Sequence, residues 1–428
     1  MKKRITLLAG VVAITTLWGA PGTAGLTTGT GPSTSISQAA VVQARAAETC
    51  GGQAATIVGT DGPDRLVGTP GRDVVWAGNG DDYVEALDGS DVVCGGGGSD
   101  TILGGAGDDT IFGGADAFWI DGRGDHKVGD VIDPGPGNDT VDPVADQRRS
   151  RDETIPDRVT YATSSVPVKV DLSATATTGT VAGDGTDTIG TAGAVGIIGS
   201  QFADTLNGSP RDDYLEGGGG GDTINGLGGH DEVWAEGPVP GGDDDDRVSG
   251  GDGNDTLRSY RGRDTLTGGG GVDAIYAHSG QAADVTGGGG HDAIFANVVR
   301  GGTMRVDGAS GVDVLTLTST YGDPSGRPGM KVDLAAGVID GQGAGKVSGV
   351  EQVLVNDYVS VNFTGTNSGE LVGLARGGAL DARLNGGKDF AYGSFYNDRI
   401  DGGKGKDFVW GMGGRDSCSA AESRRLCE

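Results

Sequence analysis

The chain is short of nearly everything that builds an ordinary hydrophobic core. Of 428 residues only 35% are hydrophobic and 5% aromatic, while 87 are glycine, against a usual glycine share of about 7%. A conventional packed core is therefore not expected. Basic residues are also scarce: 32 Lys and Arg face 60 Asp and Glu, a formal net charge of -28. That balance excludes nucleic acid as a natural partner and points to cations. No apolar run reaches the roughly 20 residues needed to cross a bilayer. The sequence contains neither HExxH nor GxSxG, and no CxxC that would suggest zinc or redox work.

What is present begins with an export signal. Lys2, Lys3 and Arg4 precede an apolar run from Ile5 to Trp18, followed by Gly19, Ala20, Gly22, Thr23 and Ala24, the three regions of a secretory signal. Cleavage is expected after Ala24, with Ala44-Arg45-Ala46 as a second match. Residues 25–49 read as a disordered linker. The four cysteines fit structural disulfides in an exported chain. Cys50 with Cys94 and Cys418 with Cys427 is the favoured pairing, although four cysteines allow three connectivities.

Repetition then takes over. Asp64, Asp73, Asp82, Asp91, Asp100 and Asp109 recur every nine residues. Two places before each stands a glycine, Gly62, Gly71, Gly80, Gly89, Gly98 and Gly107; two places after comes Leu66, Val75, Val84, Val93, Ile102 or Ile111. The register returns at Asp130 and Asp139; at Asp204, Asp213, Asp222 and Asp231; at Asp246, Asp255, Asp264 and Asp273; at Asp292 and Asp313; and at Asp389, Asp398, Asp407 and Asp416.

This nonapeptide, GGxGxDxUx, resembles the repeat of the RTX (haemolysin-type) calcium-binding family. The resemblance implies an all-β parallel β-roll or β-helix solenoid, two nonapeptides to a coil, with Ca2+ held at the turns. Local physics agrees. Glycine permits positive φ in the turn, the single aliphatic residue points inward by strand period two, and parallel strands stack about 4.8 Å apart. Aspartates eighteen apart then share an edge. Their mutual repulsion, about 1 kcal/mol per pair even in water, predicts a weak metal-free roll. A hard dication taking six to eight oxygens reverses that sign. The expected metal-site residues are Asp64, Asp73, Asp82, Asp91, Asp100, Asp109, Asp139, Asp222, Asp231, Asp255, Asp264, Asp273, Asp292, Asp398, Asp407 and Asp416, with Gly62, Gly71, Gly80, Gly89, Gly98 and Gly107 beside them in the first turns and glycine carbonyls completing the shell. The six turns from Asp64 to Asp109 are expected to be the best sites. The second block is expected to be weaker at its start, where Phe202 and Arg211 replace the fourth-place glycine.

Other motifs dissolve into the repeat. The sequons at Asn138 and Asn254 occupy repeat positions, and GxGxxG strings are expected at this glycine content. Asp252-Gly253-Asn254 lacks the rest of an EF-hand, and the run Asp243 to Asp246 reads as a solvated loop. Residues 157–198 and 313–355 share Val-Asp-Leu at 170–172 and 332–334, which predicts a duplicated module of longer solenoid coils. Phe118-Trp119-Ile120 interrupts the register and reads as a cap on the first block. A helix is expected nowhere, except as a short element after Ser419.

The implied organisation is a signal at 1–24, a linker at 25–49, repeat blocks at 50–142, 199–295 and 385–418, spacers at 143–198 and 296–384, and a stapled tail at 419–428. Its expected function is a secreted calcium-binding solenoid with a structural or adhesive extracellular role. An extracellular glycan or a cell surface is the candidate partner, and no membrane span is expected after signal removal. The competing reading is a polysaccharide lyase or epimerase, for which Tyr276 with His278, and Arg305 or Lys331, supply the chemistry. His126, His230 and His291 do not cluster with these, and His230 and His291 fall at solvent-facing repeat positions. Its N-terminal signal sets the chain apart from channel-exported toxins, so pore formation is not expected.

Overall fold

A repeat of Asp-x-aliphatic-x leaves room for only one inward side chain per strand, and the strands are accordingly short. In the computed structural model, which describes residues 48–427 apart from 116–128, 144–156, 174–177, 184, 191–194, 238–244, 279–281, 299–302, 320–328, 341–343, 357–358 and 375–377, they form two long ladders. The signal region, the linker up to Ala47 and Phe118-Trp119-Ile120 lie outside the described residues. Among the described residues there is no helix, so none is long and apolar enough to cross a membrane. The tail after Ser419 is a strand, Ser423–Arg425, pairing with Phe408–Trp410.

Alternate nonapeptides feed alternate ladders. The first sheet runs through Val74–Asn79, Val92–Gly97 and Thr110–Ala115, in parallel register Val75 to Val93 to Ile111. The second runs through Arg65–Val67, Tyr83–Glu85 and Thr101–Leu103, with Leu66, Val84 and Ile102 in line. One coil is therefore two repeats, as the spacing predicts. Each aliphatic residue points between the sheets: Val75, Val84, Val93, Ile102 and Ile111 are all completely buried. They join Leu206, Ile224, Leu257, Ile294, Val353 and Ile400 in one continuous core cluster.

The spacers keep this core but reverse the chain. In the first, Lys169–Asp171, Thr178–Ala182 and Thr186–Gly190 form an antiparallel meander within the first sheet. Its last strand lies parallel to Thr140–Asp142 and its first parallel to Thr205–Asn207. The second repeats this plan: Met330–Asp333, Val338–Asp340 and Ala344–Ser348 are antiparallel, bridging Thr303–Gly311 to Val361–Thr364. The duplication marked by the two Val-Asp-Leu segments is thus one of topology, and each copy is a folded-back meander rather than a simple long coil. Val170, Leu172, Val181 and Ile189 remain buried, so the core passes through without a gap.

Both ends are stapled. Cys50 bonds to Cys94 and Cys418 to Cys427. The first bridge pins the small antiparallel pair Thr49–Cys50 and Gln53–Ala54 to the outer face of the first sheet. There Cys50, Val74 and Val92, with Cys94 and Phe112 beside them, form a second apolar cluster.

Candidate metal centre

Where the turns meet the strands, the aspartates form two ladders of their own. On the edge of the second sheet, the backbone N–H of Asp64 donates to Asp82 Oδ1 at 2.8 Å, that of Asp82 to Asp100 at 2.8 Å, and that of Asp100 to Asp130 at 2.7 Å. On the first sheet's edge, Asp73, Asp91, Asp109 and Asp139 are linked the same way at 2.7 to 2.8 Å. The pattern recurs from Asp204 through Asp222 and Asp246 to Asp264, from Asp213 to Asp313, and from Asp398 to Asp416. Asp389 likewise bonds to the N–H of Glu370, and Asp407 to that of Asp389. Every predicted ligand lies in this ladder. All are buried except Asp64, which is half-buried on an end coil.

One carboxylate oxygen is thereby satisfied; the other divides the turns into two kinds. In the turns of Asp64, Asp73, Asp204, Asp213 and Asp398 the second repeat position is Thr60, Thr69, Ser200, Ser209 or Ser394. The N–H of that residue donates to the Asp Oδ2 at 2.5 to 2.6 Å. The hydroxyls of Thr60 and Thr69 also donate to the same oxygens, at 2.8 and 2.9 Å. These turns close with their own atoms. A further aspartate, Asp187 in the first spacer, is completed by the buried Tyr161 hydroxyl at 3.0 Å.

In the other kind the second position is left-handed: Gly78, Leu87, Gly105, Gly135, Leu227, Gly251, Gly269, Gly288, Ala309, Asn385, Gly403 and Met412 all have φ between 65° and 121°. The corresponding Oδ2 atoms of Asp82, Asp91, Asp109, Asp139, Asp231, Asp255, Asp273, Asp292, Asp313, Asp389, Asp407 and Asp416 are buried without a hydrogen-bond partner. Five of those left-handed residues carry a Cβ, a conformation that costs about 1–2 kcal/mol per residue and that concentrates at functional sites.

Glycine shapes the space around each orphan oxygen. A Cβ on Gly226 would fall 2.2 Å from Asp231 Oδ2, and one on Gly268 2.3 Å from Asp273 Oδ2. The second-position carbonyls point along the solenoid: a Cβ on Gly96 would lie 1.9 Å from Gly78 O, and one on Gly114 2.0 Å from Gly96 O. The lining is oxygen from carboxylates and carbonyls, the donor set that suits a hard cation of variable coordination.

The family model of the RTX calcium-binding nonapeptide repeat (4 copies) matches residues 58–93, 95–125, 198–233, 240–275 and 384–418. The chain carries several copies of the RTX calcium-binding nonapeptide repeat. RTX nonapeptide repeats bind Ca2+, and the orphan carboxylates with their glycine cradles fit that ion. No curated protein matches the chain.

Burial, more than repulsion, governs the RTX aspartates. It pushes the carboxyls of Asp82 and Asp273 up to about 6, Asp109 to about 7, and Asp139 and Asp231 to about 8. In each, the bond from the preceding coil opposes the shift, and the neighbouring carboxylate's repulsion adds less than burial does. The expectation that repulsion makes the metal-free roll weak is corrected accordingly: the coils share hydrogen bonds along the ladder, and desolvated charge is the larger burden. An unfolded aspartate titrates near about 3.9, so the folded state holds more protons between about pH 4 and 8. Stability of the metal-free chain is therefore expected to be fullest below pH 4 and to fall as pH rises through 6 to 8. Thermal melts of metal-stripped protein check this; a melting temperature that climbs from pH 5 to pH 8 contradicts it.

Several readings need correction. Gly62 and Gly71 lie in Thr-closed turns and do not adopt positive φ, whereas Gly80, Gly89, Gly98 and Gly107 do, at 122° to 151°. The first block therefore starts with two self-closed turns, as the second does at Phe202 and Arg211, and its six turns are not equivalent. Asp246 belongs to the buried ladder rather than to a solvated loop. Tyr276 and His278 lie close together in the second sheet, ring centroids 5.9 Å apart. Arg305 and Lys331 stand on strands of the first sheet, beside Asp284 and Asp333, whereas the strand of Tyr276 belongs to the second.

Sequence reasoning also missed ladder members. Glu351 accepts the N–H of Asp313 at 2.9 Å, and Glu422 that of Asp407 at 2.6 Å. Asp157 and Asp187 accept those of Asp130 and Asp139. Each precedes an aliphatic residue by two places, except Glu422, which precedes Arg424; Gly185 and Gly349 keep the glycine spacing before Asp187 and Glu351, whereas Ile155 and Ala420 stand there before Asp157 and Glu422. An outer ladder runs beside the first. The side chains of Asp81, Asp108, Asp212, His230, Asn254 and His291, one residue before the aspartate, each accept a backbone N–H from the next coil at 2.7 to 3.0 Å.

Proposed function

We propose that the chain is a secreted calcium-binding solenoid in which ladder aspartates hold Ca2+ between successive coils, so that binding contributes folding energy. The observation that carries this reading is the correspondence, turn by turn, between a left-handed second position and a buried carboxylate oxygen without a partner. Asp82, Asp91, Asp100, Asp109, Asp139, Asp222, Asp231, Asp255, Asp264, Asp273, Asp292, Asp407 and Asp416 are the proposed ligands, with turn carbonyls completing the shell. Asp64, Asp73 and Asp398, held by Thr60, Thr69 and Ser394, close coils where a block begins or resumes. The blocks at 50–142, 199–295 and 385–418 are then the metal-binding parts, and the spacers carry the core between them. An extracellular structural or adhesive role follows from the signal-like N-terminus and the two disulfides, with a glycan or cell surface as the partner.

Asp82→Ala tests the shared-ligand geometry. It removes the carboxylate that accepts the Asp64 N–H and leaves its own backbone donor to Asp100 in place, and is expected to abolish the site it shares with Asp100 along that edge. The opposite edge at Asp91 and Asp109 should still bind. Calorimetric titration of the full chain with calcium reads this as a reduced number of sites; an unchanged number and heat would sink the assignment.

A further inference from the structure

One place in the ladder departs from the repeat and gathers a third acid. Asp231 and Asp246 are fifteen residues apart instead of nine, and the extra chain carries Glu236, which falls between the family matches ending at 233 and starting at 240. Glu236 is nonetheless buried, with 9% exposure. It is fixed there by the next coil: Tyr260 N–H donates to its two oxygens at 3.1 and 3.0 Å, and Arg261 N–H to Oε1 at 2.7 Å. Asp246 N–H donates to Asp264 Oδ1 at 3.0 Å, and the Ser259 hydroxyl, at a position usually glycine, donates to Asp264 Oδ2. Glu236, Asp246 and Asp264 each bring a carboxylate oxygen within 4.8 Å of the others. Asp246 is only 1% exposed, and its Oδ2 has no hydrogen-bond partner.

We propose that Glu236, Asp246 and Asp264 form a three-carboxylate cation site, the tightest calcium site of the chain and the one that most favours a trivalent lanthanide. The inference rests on the calcium reading of the ladder but adds a ligand the repeat does not supply. An ordinary turn offers the carboxylates of two successive coils. Here a third is held in place by two backbone amides before any ion arrives, so little side-chain entropy is lost on binding. Affinity of such oxygen sites rises with ligand charge count and rigidity, and both are greater here than elsewhere in the ladder. A trivalent ion gains most from a third negative ligand.

Terbium provides the test, because an indole ring stands beside the site: Trp234 is two residues from Glu236, and its ring centroid lies 6.0 Å from that of Tyr260. Metal-stripped full-length protein is titrated with Tb3+ while indole-sensitised luminescence is followed, and calcium is then used in competition. The first equivalent is expected to give the strongest signal and to resist calcium longest. Glu236→Gln should weaken that step about ten-fold or more and leave the later steps in place. Trp234→Phe should dim the first step without changing its affinity. If Glu236→Gln melts early even in saturating calcium, Asp246→Asn, which removes the unpartnered oxygen, replaces it and must give the same loss. A first step unchanged in both variants would overturn the inference and leave the ladder reading standing. Wild-type protein that binds neither Tb3+ nor Ca2+ would overturn both.

Discussion

Stripped of calcium at neutral pH, the chain is expected to lose much of its β-structure signal and to melt on the order of 15 °C lower than in millimolar calcium. Each orphan carboxylate is buried, as at Asp91, Asp109 and Asp255 with 1 to 2% exposure, and an unpaired buried charge is expensive unless it is neutralised. Without an ion the group must stay charged in poor solvation or take up a proton, and the raised values at Asp139 and Asp231, about 8, show how hard burial pushes toward the proton. The strained second positions at Leu87, Leu227 and Met412 add to the burden. An ion bound at ten times its dissociation constant returns about 1.4 kcal/mol per site, and several sites together match the roughly 5–15 kcal/mol that stabilises a domain. Magnesium should do much less, since it demands a tight octahedron and keeps its water. Circular dichroism melts in calcium, in magnesium and in EGTA measure all three; equal melting temperatures would contradict the account.

Gly107→Val is expected to unfold the first block, while Gly71→Ala should be nearly silent, although both glycines stand at the fourth repeat position. Gly107 has φ of +131°, and a Cβ there would lie 1.5 Å from Gly89 O and 2.6 Å from Gly89 C. Those are backbone atoms of the neighbouring coil and cannot step aside without opening the stack. Gly71 sits in the Thr69-closed turn with ordinary φ, and its Cβ would meet only the Thr69 hydroxyl, at 4.0 Å. We expect a loss above about 4 kcal/mol for the first, in the range of exceptional single substitutions. For the second, a small gain of about 0.4–1 kcal/mol from reduced unfolded-state entropy is expected. Melts in saturating calcium separate the two; similar losses would mean that the two turn classes are not physically distinct.

The contrast between those glycines shows what could and could not be read from the chain. The nine-residue period reports strand, turn and inward aliphatic residue because each is decided within a few neighbouring residues, and the coil, the ladders and the buried Asp82 or Asp273 follow from it. The turn class was also written locally, in the residue four places before each aspartate. Thr60, Thr69, Ser200, Ser209 and Ser394 mark closed turns, but a hydroxyl looks like any small polar residue until its N–H is seen against the carboxylate. Glu351 and Glu422 were hidden for a different reason. Each puts Glu where the repeat has Asp and lies outside the nine-residue count, and Glu422 also lacks the glycine two places before it, so only the stacked coils reveal them. The meander of each spacer depends on contacts between strands many residues apart, Val170 with Val181 and Leu206 for example, and local pattern carries no record of that pairing.

Hydrogen–deuterium exchange of the full chain, compared with and without calcium, tests the central claim most directly. The claim is that left-handed turns await an ion while Ser- and Thr-closed turns complete themselves. Calcium is expected to slow exchange strongly in peptides covering turns 104–109, 250–255 and 268–273, and to change little the turn-local protection at 60–64, 69–73, 200–204, 209–213 and 394–398. Uniform protection across both classes, or none in either, would contradict it.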